Sequence, residues 1–119
     1  MDLKIYEQDG VIVRRYSGEL YFNDIIDSWK LLFETYSSFE SYKGILNNFL
    51  EADIKIIDHN LNELVEFLAV HMDQLKKLKI AVVMDTPLIT NTIIVSQKVR
   101  SLQIKPFSSD RAALRWIRS

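Results

Sequence analysis

Short runs containing β-branched residues alternate along this chain with longer segments whose apolar residues recur every three or four positions. The runs read as strands and the segments as helices. Leu3 and Ile5 alternate with polar residues, and Asp9-Gly10 offers a hairpin turn. Val11, Ile12, Val13 and Tyr16 continue as a second strand, which Gly18 is expected to end. The spacing predicts a helix over 22–36. Phe22, Ile25, Ile26, Trp29, Leu32, Phe33 and Tyr36 form one stripe, and Leu31 points the opposite way.

Lys43 to Phe49 reads as a buried strand, and residues 50–60 as the loop after it. A second helix is expected over about 60–76, with Leu61, Leu64, Val65, Leu68, Met72 and Leu75 inward. Lys79 to Met84 is a β-branched run suited to a central parallel strand. A third helix, about 87–102, starts at Pro87, a favoured first-turn residue. Ile104 to Phe107 is a short last strand. Ser108 or Ser109 then caps a final helix with Ala112, Ala113, Trp116 and Ile117 inward. Arg115 and Arg118 sit near its C-terminus, where the helix dipole favours cations.

That order predicts an α/β fold: a mixed, mostly parallel sheet of about five strands, opening with an antiparallel hairpin and packed by about four helices. With 119 residues, three glycines and two prolines, a single domain over 1–119 with short loops is expected.

Composition removes several chemistries. There is no cysteine, so disulfides, thiol catalysis and cysteine-ligated metals are out. Net charge is −1 and the pI about 6.1, giving no general pull toward polyanions. Arg14-Arg15 and Lys76, Lys77 and Lys79 read as scattered basic residues, so no nucleic-acid partner is expected. The opening MDLKIYEQDG has no apolar core, so no signal peptide is expected. No integral membrane segment is expected either, and the expected location is cytoplasmic. No Gly-rich phosphate loop, HExxH or zinc spacing occurs, so no cofactor is expected.

Four pieces carry a resemblance. They are Gly18-Glu19-Leu20 before a helix containing Asp24, then Gly44-Ile45-Leu46, then Lys79-Ile80-Ala81-Val82-Val83, and last Phe107 with Ala112-Ala113 and Trp116-Ile117. In this order the chain resembles the SpoIIAA-like (STAS-like) family over nearly its whole length. The resemblance implies a non-enzymatic binding or regulatory domain acting through protein–protein contacts. Anti-sigma-factor antagonists of that family carry a phosphorylatable serine just after the third strand. Here no serine or threonine occurs between Ser41 and Thr86, and Asn47-Asn48 stand where an aspartate is usual. The usual switch is therefore not expected.

Other candidates come from the residues themselves. Glu51, Asp53 and Asp58 could form a cation or acid–base site, or could be solvated, with Asp58 or Asn60 capping the next helix. His59 and His71 match no two-histidine metal spacing, and His71 with Phe67 one turn before it suits packing. Asp85 and Thr86 open a helix at a strand's carboxyl end, a place for an anion or an ordinary cap. The third helix is apolar on several sides. Leu88, Val95, Val99 and Leu102 form one face, and Ile89, Ile93 and Ile94 fall off it. With Leu31 these isoleucines are the candidate interaction surface, for a protein partner or a second copy as a homodimer. The alternative is a carrier of an apolar or lipid-like small molecule, with Phe22, Trp29 and Phe107 nearby. An enzyme is the weakest reading, because no nucleophile–base pair can be named.

Overall fold

The computed structural model describes residues 1–55, 61–85, 93–95 and 97–119, with residue 61 by its backbone alone. The strands are β1 (Asp2–Gln8), β2 (Val11–Tyr21), β3 (Gly44–Lys55), β4 (Lys79–Val83) and β5 (Gln103–Phe107). The helices are α1 (Phe22–Thr35), α2 (Leu61–Val70), α3 (Met72–Leu75), α4 (helical residues 93–95 and 97–98) and α5 (Asp110–Arg118). Among the described residues no helix is long and apolar enough to cross a membrane.

The five strands form one sheet in the order β1-β2-β3-β4-β5. β1 runs antiparallel to β2 and every later pair is parallel. The hairpin turn carries positive φ at both Asp9 (53°) and Gly10 (79°), the twist-matched type I′ geometry. A strand order that never reverses sends every right-handed crossover to the same side of the sheet. Ile12, Tyr16, Leu20, Ile45, Phe49 and Ile80 therefore meet Ile25, Trp29 and Leu32 of α1, Leu68 of α2, Leu75 of α3 and Val95 of α4. The opposite strand positions, Val11, Val13, Leu46, Ala81 and Val83, meet Ala113 and Ile117 of α5. Among the described residues the sheet thus divides a layer of four helices from α5.

Three sequence expectations need correction. β2 passes through Gly18 to Tyr21, because Gly18 adopts a φ of 81° inside the strand and bends it without ending it. β3 runs on to Lys55, so Glu51 and Asp53 are strand residues rather than loop residues. Arg15 faces Asn48 while Ser17 faces Glu51, so β3 advances three residues where β2 advances two. At this bulge Asn48 Oδ1 accepts the Leu50 amide at 2.9 Å, and beyond it Ala52 and Ile54 pack toward the helical layer. The single helix expected over about 60–76 is broken at His71, whose φ of −100° and ψ of 17° leave the helical region. Its ring Nδ1 lies 2.9 Å from the Phe67 carbonyl, the acceptor its own amide shares with Leu68 at 3.3 and 3.2 Å. The described chain therefore has five helices where about four were expected.

Local capping follows the sequence. The Tyr21 amide donates to Asp24 Oδ2 at 2.8 Å at the start of α1, and Ser109 Oγ accepts the Ala112 amide at 3.2 Å at the start of α5. Lys79 Nζ, from β4, donates to the Trp116 and Ser119 carbonyls, each at 3.1 Å, at the other end of α5.

Two predictions follow from this packing. A Cβ on Gly44 would lie 2.2 Å from the Lys79 carbonyl oxygen and 2.8 Å from Ile117 Cγ2. Gly44→Ala must therefore push β4 or α5 away, at a cost of about 1–3 kcal/mol. Urea unfolding would show it, and an unchanged midpoint would contradict the packing. Separately, the Tyr42 phenol is pushed up to about 12, first by its hydrogen bond to the Glu7 carboxylate. The folded state holds that proton more tightly, so this contribution is whole below about pH 10 and fades as pH rises toward 12. Phenolate absorbance, compared with Tyr42→Phe, should place this titration lower in Glu7→Gln. No movement would remove Glu7 as the cause.

Candidate functional site

Arg14 occupies a position where strand alternation demands an inward side chain, between Ile12 and Tyr16. It is fully buried, and no carboxylate faces it among the described residues. Nε donates to Asn47 Oδ1 at 2.8 Å and Nη1 to the Ser28 carbonyl at 3.0 Å. The guanidinium lies 4.4 Å from the Trp29 ring centroid and 5.7 Å from that of Tyr16. Tyr16 Oη and Ser28 Oγ are 2.8 Å apart, and Asn47 Nδ2 donates to the Ala81 carbonyl at 3.2 Å. Nη2 has no hydrogen-bond partner among the described residues. Burial pushes the guanidinium below its ordinary pKa. Buried arginine, asparagine and serine thus tie β2, β3, β4 and α1 together through the centre of the molecule.

A second polar knot sits on the other face. Arg15 donates to Asp110 Oδ2 at 2.5 Å, and Asn48 Nδ2 donates to Asp110 Oδ1 at 2.6 Å. Both carboxylate oxygens are therefore engaged, and Asp110, in the first turn of α5, fixes that helix to β2 and β3. The Asp110 hydrogen bond is the main reason the Arg15 guanidinium is held above its ordinary pKa. Neither knot stands out in the chain, where Arg14 and Arg15 read as scattered basic residues. The usable signal was a polar residue at an inward position of an apolar alternation: Arg14 in β2, Asn47 in β3 and Ser28 on the stripe of α1.

The sequence candidates are dispersed. Glu51 and Asp53 are exposed strand residues, and Asp53 pairs with Lys55 at 3.0 Å. Ile56, Ile57, Asp58, His59 and Asn60 lie outside the described residues, as do Thr86, Pro87, Leu88 and Ile89. Asp85 is exposed just beyond β4. Leu31 and Ile93 are 44% and 41% exposed, whereas Ile94 is half-buried against the helical core. α2 stands between α1 and α4. Phe33 of α1 meets Phe67 at 6.0 Å between ring centroids, and Lys98 of α4 donates to Asn62 at 3.2 Å. Leu31 and Ile93 therefore belong to separate parts of the helical layer. Trp29 lies in the helical core, whereas Phe107 packs on Trp116 across the sheet, so these two aromatics do not line one cavity.

Between α1 and α2 lies a groove of about 310 Å³ lined by Ile26, Lys30, Glu63, Glu66, Phe67, Val70 and His71. His71 stacks on Phe33 at 4.3 Å and meets Phe67 at 4.4 Å. That contact belongs to packing. Val70, by contrast, is 79% exposed at the rim. Among the described residues no group of three or more His, Asp or Glu side chains converges as a metal site. Within the described sheet the strand order also never reverses. It therefore lacks the switch-point crevice where open α/β sheets bind small ligands.

No protein-family model matches the chain, and no curated relative matches it. Solved structures do. An uncharacterised protein of the DUF3478 family with a SpoIIAA-like fold, from Shewanella loihica PV-4, matches 98% of this chain and 92% of its own at 17% identity, with a TM-score of 0.64. An anti-sigma factor antagonist from Mycobacterium paratuberculosis matches 99% of this chain and 94% of its own at 16% identity, with a TM-score of 0.65. The chain has the SpoIIAA-like fold.

The buried knot makes a direct prediction. Arg14→Ala removes both donors and leaves a large void, and should cost about 3–5 kcal/mol. Arg14→Met keeps most of the volume and removes the charge, leaving mainly the Asn47 oxygen unpaired, at about 1–3 kcal/mol. Denaturant unfolding of the two variants should separate them. Equal losses would mean that side-chain volume is not what Arg14 supplies.

Proposed function

We propose that this SpoIIAA-like domain is a non-enzymatic binding domain that acts through protein–protein contacts, without a serine switch after β3. The observation that carries this reading is the groove between α1 and α2. Val70 stands out at its rim, Ile26 and Phe67 form apolar walls, and Lys30, Glu63 and Glu66 surround them. An apolar centre inside a charged border is the anatomy of a protein interface. Two carboxylates against one lysine select a partner segment that presents an apolar side chain flanked by basic residues. The fold shared with an anti-sigma factor antagonist supports a regulatory binding role. The described sheet is compatible with it, because its unreversed strand order forms no switch point.

A photo-crosslinking residue placed at Val70 in the cells of origin tests the proposal. The expected result is one discrete adduct with a different protein. The reconstituted complex should weaken at least about tenfold on Val70→Asp. The same residue placed at Leu31 and at Ile93 asks whether the contact extends to those exposed side chains. Adducts only between copies of the chain, with a molar mass twice that of the monomer, would replace the partner by a homodimer. No adduct above that of a control at Lys77 would overturn the proposal.

A further inference from the structure

The α5 side of the sheet carries an excess of positive charge that the fold does not use. Arg111, Arg115 and Arg118 recur at helical spacing on the outer side of α5, opposite the inward Ala113 and Ile117. With Leu114 they line a shallow groove of about 350 Å³. Arg118 pairs with Asp9 at 3.5 Å, an exposed and weak contact. Asp110, the other nearby acid, has both oxygens taken by Arg15 and Asn48. Among the described residues no ion pair engages Arg111 or Arg115.

The helix dipole accounts for Arg115 and Arg118 in the last turn of α5, but not for Arg111. Arg111 stands in the first turn, where the dipole disfavours a cation. A similar misplacement occurs on the neighbouring strands. Lys4 of β1 sits directly opposite Arg15 of β2, a like-charge cross-strand pair. Both are on the α5 side, because Val13, two residues before Arg15, packs in the α5 core and side chains alternate. Tyr6, opposite Val13, shares that side and is 40% exposed. Folding alone gives no reason for Arg111 and Lys4, whereas an anionic partner would.

We propose that the outer face of α5 docks a short acidic segment of a partner protein that extends toward Lys4 and Tyr6 of β1, on the same side of the sheet. Guanidinium groups match carboxylates as two-pronged donors. Leu114 and Tyr6 give the segment apolar contact. A net charge of −1 and the interspersed Asp9 and Asp110 disfavour a long polyanion such as DNA or a charged membrane. This surface lies across the sheet from the α1–α2 groove, so the domain would hold two different segments at once.

The test is fluorescence anisotropy with a labelled peptide carrying glutamates on both sides of a central leucine, in low-salt buffer. Saturable binding is expected, weakening as salt rises. Arg111→Glu/Arg115→Glu should weaken it at least about tenfold, and Arg111→Gln/Arg115→Gln by a smaller factor. Lys76→Glu/Lys77→Glu, which changes the net charge by the same amount elsewhere, and Val70→Asp should leave it unchanged, which separates this face from the α1–α2 groove. The neutral glutamine pair keeps the test valid if charge reversal disturbs the fold. No saturation below about 1 mM peptide overturns the proposal. Equal binding by the arginine variants, or tighter binding of a DNA duplex or of phosphatidylserine vesicles than of the peptide, overturns it too.

Discussion

A guanidinium that no carboxylate among the described residues faces sits at the centre of this fold, and the arrangement of the helical layer depends on how it is held. Taking a charge out of water costs several kcal/mol unless other dipoles replace the water. For Arg14 the replacements come from separate elements: an amide oxygen on β3, a helix carbonyl in α1, and the ring faces of Trp29 and Tyr16. None suffices alone. α1 therefore cannot slide along the sheet without stripping the charge of part of its solvation. That converts a hydrophobic contact, which is tolerant of register, into one that specifies a single docking.

The strand order does the corresponding work at the scale of the whole domain. Since the order rises without reversal, the crossovers fill one face, and among the described residues α5 is what covers the other. The Asp110 knot holds α5 over the central strands, so the β1 end of that face keeps exposed Lys4 and Tyr6. Two unlike surfaces result. One is a groove with an apolar rim residue between two helices, and the other is a line of arginines beside an open strand. The sheet thus separates two surfaces of different chemistry.

Much of this architecture was legible in the chain because period governs it. The run from Val11 to Tyr16 locates β2, and the stripe from Phe22 to Tyr36 locates α1 and assigns its inward side. Boundaries were less legible where pairing overrode local cues. Gly18 looked like an end, but β3 supplies partners for β2 as far as Tyr21. Residues 51–55 looked like loop because a bulge shifts their phase by one residue. The break at His71 was hidden because a ring nitrogen competing for a carbonyl leaves no mark in the apolar pattern. Arginine is so often exposed that Arg14 reads as one more scattered basic residue, although it stands at an inward position of β2.

Native-state amide hydrogen exchange tests the central dependence most directly. If Arg14 locks α1 to the sheet, the Trp29 and Leu32 amides of α1 should exchange only through global unfolding. Their protection should then match that of Ile45 and Leu46 in β3. If α1 amides exchange through a much lower-energy opening while β3 stays protected, the helix is not locked, and the role assigned to Arg14 is wrong.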